Sequence, residues 1–333
     1  MPRRGLTSFF PRDYHRSVRP NRTLAALFPL VFLLLLSQPA VATAQDRPGE
    51  ETLVNQISST IQTGHTDRAV TEARRAVGEY PRSSPLHQLL GAALFKMGMN
   101  AEARQAFQRA IELDPSVAQN HFNLALVDLS ENKNAAAAKS LETCLRLEPA
   151  NLQARVLLGR AYHNLNQTLP AIEEFKKVLA QAPKFPLAHY HLGYAYQSQG
   201  NLREALEEFK KEVEFHPNFF ESYWLAGNIE LGRGNLDAAE ALFRKGIAIN
   251  AQGYQARYGL ARVLLGRKQF AEAETELKKV VELVPDHVEA HYALARAYQQ
   301  MGRKSDAERE FKIVADLHAR SDRKSSGIAG RQH

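Results

Sequence analysis

"PLAHYHLGYAYQSQG", residues 186–200, is one copy of a pattern that recurs along this chain. The segments "LAGNIELGRG" (225–234) and "ALARAYQQMG" (293–302) repeat its second part after one and three periods of 34 residues. Self-similarity at a fixed period of this length is typical of an array of stacked units, each contacting only its neighbours. The sequence therefore predicts a repeat protein rather than one or two ordinary globular domains.

Several residue types recur at fixed places within this period. A proline opens most units: Pro81, Pro115, Pro149, Pro183, Pro217 and Pro285. Ala251 stands at the one place in this series where the proline is missing. The first half of each unit carries a small residue: Gly91, Ala125, Gly159, Gly193, Gly227, Ala261 and Ala295. The second half carries an alanine: Ala69, Ala103, Ala137, Ala171, Ala205, Ala239, Ala273 and Ala307. Four residues later a phenylalanine is frequent: Phe107, Phe175, Phe209, Phe243 and Phe311.

This set of residues resembles the tetratricopeptide repeat (TPR) family over residues 50–321. The resemblance implies an all-α fold, a right-handed α-solenoid of eight helix-turn-helix repeats. The predicted repeats are 50–83, 84–117, 118–151, 152–185, 186–219, 220–253, 254–287 and 288–321. Residues 322–333 are predicted to form a disordered polar tail, since the segment is rich in charge and small residues.

The recurring residues have physical reasons. The two helices of a repeat approach closely, so Gly193 is expected to face Ala205. Glycine or asparagine, such as Gly200, ends the first helix because it tolerates the left-handed conformation. Lys268 is the exception in this series. Leu192 and Tyr196 are four residues apart on one helical face, which predicts that Tyr196 is a core residue.

The N-terminal segment has the pattern of an export signal. A basic stretch precedes the apolar run "LAALFPLVFLLLL" (24–36), and Ala42-Thr43-Ala44 follows as a cleavage site. We expect a signal peptide over 1–44, a short linker over 45–49, and a periplasmic or secreted protein that begins at Gln45. These features resemble exported bacterial TPR proteins. The alternative is an uncleaved segment that anchors the chain to the inner membrane.

The net charge of +7 does not indicate a nucleic-acid partner. Residues 1–44 hold six arginines and one aspartate, a charge of +5, which leaves only +2 for the rest of the chain. Cys144 is the single cysteine, so no internal disulfide is possible, and a small buried packing residue is expected at its place.

The resemblance also implies a binding groove. In the family, the second, fifth, ninth and twelfth places of each repeat line the concave side of the solenoid. The fifth places hold a series of aromatic residues, and the ninth places add arginines and an asparagine. The predicted peptide-binding groove consists of Phe122, Arg160, Tyr190, Tyr194, Trp224, Asn228, Tyr258, Arg262, Tyr292 and Arg296. The alternative is that these rings only pack the first helices of adjacent repeats against each other.

No motif indicates catalysis, a cofactor or a metal. The chain lacks a phosphate-binding glycine loop, G-x-S-x-G and H-E-x-x-H. Histidines at the fourth place of four repeats are expected to pack: His87, His121, His189 and His291. The carboxylate clamp that some family members use for chaperone tails is absent, because its places hold Val54, Ser58, Leu89 and Gln119.

Two functions fit this sequence. The favoured one is a non-catalytic scaffold of the cell envelope, whose groove binds an extended peptide or helix of another envelope or secreted protein. The alternative is a component of a polysaccharide export or assembly machine, with the aromatic series contacting glycan. The last predicted helix, 305–320, keeps Ile313 and Leu317 on a side with no further repeat to cover it; either its charged residues make it polar enough, or it contacts a partner or a second copy of the chain.

Overall fold

The structure is a computed structural model that describes residues 48–329 of the chain, with side chains from 49 to 321. The predicted leader, 1–44, lies outside the described residues. The described part contains sixteen α-helices and no strand. The helices are α1 (Pro48–Gln62), α2 (Thr66–Glu79), α3 (Ser84–Lys96), α4 (Asn100–Leu113), α5 (Ala118–Ser130), α6 (Asn134–Leu147), α7 (Leu152–Asn164), α8 (Thr168–Gln181), α9 (Ala188–Ser198), α10 (Leu202–Phe215), α11 (Phe220–Gly232), α12 (Leu236–Ile249), α13 (Tyr254–Gly266), α14 (Phe270–Leu283), α15 (Val288–Gln300) and α16 (Lys304–Ala329).

The helices form two compact units. The first ends at Asn151 and contains α1 to α6, and the second begins at Leu152 and contains α7 to α16. Within each unit every odd-numbered helix packs against the helix that follows it, and that second helix packs against the first helix of the next repeat. This is the arrangement of an α-solenoid, and it confirms the predicted fold class.

A phenylalanine ring fills the space between the two helices of a repeat. Phe107, Phe175, Phe209 and Phe243 are at most 1 % exposed. A Cβ atom added to Gly193 would lie 2.9 Å from the Phe209 ring and 3.1 Å from the Ala205 carbonyl oxygen. The close approach of the two helices that the sequence predicts therefore depends on both Gly193 and Ala205. The Phe209 ring on the second helix is what requires glycine at position 193 on the first.

The first helices end in the left-handed conformation. The turn glycines have positive φ, for example +80° at Gly200. Asn132, Asn166 and Lys268 adopt the same conformation with φ of 58°, 60° and 62°. Lys268 therefore follows the backbone of its repeat although its side chain disfavours it.

Replacing Lys268 with glycine is expected to stabilise the protein by about 0.5–1 kcal/mol, because it removes the steric cost of a left-handed β-carbon. The melting temperature of the purified protein measures this gain. Asn166→Gly is the matched control and should change stability less, since asparagine tolerates this conformation. A lower melting temperature for Lys268→Gly would contradict the assignment of strain to this turn.

The histidines at the fourth place hold the loop that opens each repeat. In His87, His121, His189 and His291 the ring Nε2 lies 3.1, 3.0, 2.8 and 3.0 Å from the carbonyl oxygen of the proline six residues earlier. The Nδ1 atoms of His189 and His291 lie 2.6 Å from Glu208 and Glu310. The packing interpretation is confirmed for these rings, and the glutamate partners, 19 residues further on, were missed.

Other expectations require correction or completion. The predicted linker is shorter, because Pro48 and Gly49 belong to α1, and the predicted disordered tail is wrong up to Ala329. The helix continues because no proline interrupts the chain after Lys304.

Cys144 is fully buried, and burial raises the pKa of its thiol to about 12, so it remains a protonated packing residue. At the C-terminal end, Ile313 is 36 % exposed. None of the described helices is long and apolar enough to span a bilayer.

Candidate functional site

The predicted aromatic series lies on the first helices of the second unit. We call the fifth and ninth places of α7, α9, α11, α13 and α15 the groove face. Tyr190, Trp224 and Tyr258 are half-buried and pack against the hydrophobic core, whereas Tyr292 is 51 % exposed. Three rings therefore contribute to packing, as the alternative interpretation expects, while the fourth is open, and peptide binding by the series stays a prediction.

Tyr190 is the most connected ring of the series. Its ring centroid lies 6.3 Å from that of Tyr194 and 4.9 Å from that of Phe219, which meets it edge to face. It also lies 6.2 Å from Phe209 in the core. The ring is thus fixed from three sides, and its orientation is set before any ligand binds.

A buried carboxylate fixes the start of the helix that carries Tyr190. Glu212 is fully buried, and its two oxygens accept hydrogen bonds from the backbone N–H groups of Leu187 and Tyr190, each at 3.1 Å. Leu187 adopts a left-handed conformation with φ of 65°, which is uncommon for leucine. Glu212 therefore caps α9 and compensates an irregular entry into this helix.

Sequence reasoning missed Glu212, although a signal was present. The equivalent place in other repeats holds small or apolar residues, such as Val178, Gly246 and Val280. A glutamate at a place that is otherwise apolar indicates a special role, because a buried carboxylate must be compensated by hydrogen bonds. The surrounding charged segment "EALEEFKKEVEF" (204–215) conceals this signal, since the other glutamates there look like residues of a solvated face.

Arg160, on α7, lies close enough to Tyr190 for an electrostatic interaction between the guanidinium and the tyrosine side chain. The guanidinium is half-buried, and this loss of hydration lowers its pKa. Two histidines share the region: the His163 ring lies 5.2 Å from Tyr194, and the His191 ring stacks on Phe175 at 5.6 Å. Burial first, and then the positive charges of Arg160 and His163, hold the pKa of His191 well below its usual range. The electrostatic environment here is positive.

The other end of the groove face carries two exposed arginines. Arg262 Nη1 lies 3.5 Å from Asn228 Oδ1 of the preceding repeat, and Arg296 Nη1 lies 3.5 Å from Gln299 Oε1. Burial raises the pKa of Tyr258, and the positive charge of Arg262 partly offsets this increase. Three predicted residues therefore lie together here, because Arg262 contacts Asn228 and acts on Tyr258, while Arg296 lies on the first helix of the next repeat.

The middle of the face, on α11, is different. The Trp224 Nε1 atom is buried and has no hydrogen-bond partner among the described residues. Glu221, one turn earlier, is half-buried, and burial raises the pKa of its carboxyl group. This repeat therefore presents a ring and a weakly acidic group rather than a cation.

One predicted member does not belong to this surface. Phe122, on α5 of the first unit, is only 2 % exposed. Its ring is part of the core, so it is not available to a ligand. The fifth place of a repeat therefore does not by itself decide whether a ring is open or buried.

The described residues contain no cluster of three side chains suited to bind a metal ion.

These observations define a class of protein: an all-α repeat array with an aromatic and basic face. Models of the tetratricopeptide repeat match residues 85–117, 122–184, 190–254, 230–283 and 264–323, and a TPR repeat model matches 170–200. The chain belongs to the tetratricopeptide-repeat family. The fold of this family is typically a non-enzymatic scaffold for protein–protein interaction.

Solved structures share this fold. The C-terminal part of a TPR repeat-containing protein from Cytophaga hutchinsonii is 14 % identical, with a TM-score of 0.59 over 72 % of this chain and 99 % of that one. A tetratricopeptide repeat protein from Parabacteroides merdae is 18 % identical, with a TM-score of 0.56 over 74 % and 98 %. The APC/C hetero-tetramer Cut9–Hcn1 is 17 % identical, with a TM-score of 0.58 over 81 % of this chain and 52 % of that one. No curated protein sequence matches the chain significantly.

Proposed function

We propose that this protein is a non-catalytic scaffold of the cell envelope, and that its groove face binds an extended peptide or helix of another envelope or secreted protein. The observation that carries the proposal is the groove face of the second unit, where Tyr292 is 51 % exposed and Arg262 and Arg296 lie beside the aromatic series. Exposed rings next to arginines are the residues that dominate protein interfaces.

The envelope location is supported by the sequence of the leader alone. A basic stretch, an apolar run over 24–36 and Ala42-Thr43-Ala44 are together typical of a cleaved signal. The glycan alternative has less support, because sugar hydroxyls favour free carboxylates beside the rings. Glu289 lies 3.2 Å from His287, which lowers the pKa of this carboxyl group, whereas burial raises the pKa of Glu221, so only Glu289 of this pair is a readily ionised carboxylate.

The test places a photoreactive phenylalanine analogue at Tyr292 in the full-length chain, in the source cell. The matched control carries it at Leu169, which is 66 % exposed but lies on α8, outside the groove face. We expect a defined protein adduct at position 292 that is absent at position 169. The mature chain, identified in the same cells by mass spectrometry, is expected to begin at Gln45 in the soluble envelope fraction.

Two results would contradict this proposal. Identical adducts from both positions would show that the groove face has no specific partner, and a glycan adduct at 292 alone would favour the polysaccharide alternative. A chain that retains residue 1 in the membrane fraction would replace the cleaved signal by the anchored form.

A further inference from the structure

The arginines of the groove face differ from other arginines on the same helices. On α7, Arg155 donates to Glu174 at 2.7 Å, and on α13, Arg257 donates to Glu276 at 2.8 Å. Arg160 and Arg262 lie on these same two helices, yet neither forms an ion pair with a carboxylate among residues 49–321. Arg296 on α15 also lacks such a pair within this range. The packing arginines Arg155 and Arg257 are thus paired with carboxylates, whereas the groove arginines form no ion pair among residues 49–321.

The surroundings of Arg160 make this lack of counter-charge costly. The guanidinium is half-buried next to Tyr190, and the histidines around it, His163 and His191, add positive charge or none. A partly dehydrated cation without an anion is unfavourable, and a carboxylate that binds it forms charge-assisted hydrogen bonds. An incoming anion would therefore gain more here than at an exposed arginine.

Charge varies along the face in a defined order. Arg160 lies at one end, and Arg262 and Arg296 lie at the other, where each contacts a neutral amide oxygen at 3.5 Å. Between them, α11 presents Trp224 and Glu221. Glu289, on α15, lies beside His287 at 3.2 Å. The face therefore carries one arginine without an ion pair at one end and two at the other, where Glu289 is also present but pairs with His287.

From this pattern we propose that the occupant of the groove face is an acidic extended segment of a partner protein, whose carboxylates bind Arg160 at one end and Arg262 and Arg296 at the other. The proposal rests on the proposed function. If each repeat advances the groove face by about the spacing of packed helices, about 10 Å, and an extended chain advances about 3.3 Å per residue, one repeat corresponds to about three residues. Arg262 is three repeats from Arg160, which places the partner's carboxylates about nine residues apart.

The experiment uses a fluorescein-labelled peptide of thirteen residues with aspartate at positions 1, 10 and 13 and glycine, leucine and tyrosine between them. Its analogue has asparagine at the same three positions. Binding is measured by fluorescence anisotropy at low salt, with protein purified from cells that express the full chain. We expect the aspartate peptide to bind at least about tenfold more tightly than the asparagine peptide, since hydrogen bonds to charged groups are the stronger ones.

Variants then assign the effect to the groove. Arg160→Gln and Arg262→Gln should each weaken binding of the aspartate peptide about tenfold and leave the asparagine peptide unchanged. Arg203→Gln is the matched control, because Arg203 is an exposed arginine on the second helix α10 and has no ion pair in the described residues. It removes the same charge without altering the groove face, so binding should not change.

The outcomes separate this inference from the proposed function. Equal binding of both peptides, or no binding of the aspartate peptide, overturns the acidic partner, while a specific adduct at Tyr292 in the cell would still uphold the scaffold. Equal losses for Arg203→Gln and Arg160→Gln would show a general effect of net charge and would also overturn the inference.

Discussion

Phe243→Ala is expected to destabilise the protein by about 3–5 kcal/mol, the range for removing a fully buried aromatic ring. The ring is 0 % exposed and lies between two glycines of different repeats. An added Cβ would lie 2.7 Å from the ring at Gly227 and would clash with it more closely still at Gly259. Its removal opens a cavity inside its own repeat and at the contact with the next one, so the loss is not confined to one helix pair.

Chemical unfolding measures this effect at two levels. Trp224 is the single tryptophan and packs against the same hydrophobic cluster as Phe243, so its fluorescence reports on this region. Circular dichroism reports on all helices. We expect the fluorescence transition to move to lower denaturant than the dichroism transition, because repeats unfold in partly independent groups.

The matched control is Phe311→Ala, at the same place in the last repeat. Phe311 is only half-buried, and no described repeat follows it, so the loss should be smaller, about 1–2 kcal/mol. A further check is Gly259→Ala, which should destabilise the native chain but stabilise the Phe243→Ala variant, where the clash is gone and helix propensity favours alanine. Equal losses at 243 and 311 would contradict the role of the second glycine.

Glu212→Ala is the second change with a large expected effect, a loss of about 2–4 kcal/mol. It removes the acceptor of two backbone N–H groups at the start of α9, those of Leu187 and Tyr190, and leaves a cavity. Hydrogen exchange at these two amides, followed by mass spectrometry, should become faster before the rest of α9 is affected. Thermal unfolding gives the total loss.

Two further variants at this position test the cause. Glu212→Gln keeps one acceptor oxygen and should lose about half as much stability. Glu212→Val introduces the residue that equivalent places hold at Val178 and Val280, yet it is expected to destabilise, because the two N–H groups stay without an acceptor. A valine variant that matches or exceeds the native stability would show that α9 can start without the carboxylate.

A large part of this protein follows from the sequence. The period of 34 residues, together with recurring glycine, alanine and phenylalanine, predicted the helix pairs and their order, since stacked repeats need the same close contacts in every unit. It also predicted the left-handed turns. All ten predicted groove residues lie on first helices, as the resemblance implied, and nine of them lie in the second unit.

Only the tertiary structure decided how each side chain is used. Phe122 and Tyr292 occupy the same place in their repeats, but Phe122 is 2 % exposed and Tyr292 is 51 % exposed, because burial depends on neighbours from other repeats. Arg155 and Arg160 lie on one helix, and only the fold shows that Arg155 reaches Glu174. Glu212 stands in a charged segment typical of a solvated face, and only the fold shows that its carboxylate caps the start of α9. Periodicity fixes what each repeat shares, whereas exposure, ion pairs and caps depend on distances between residues far apart in the chain.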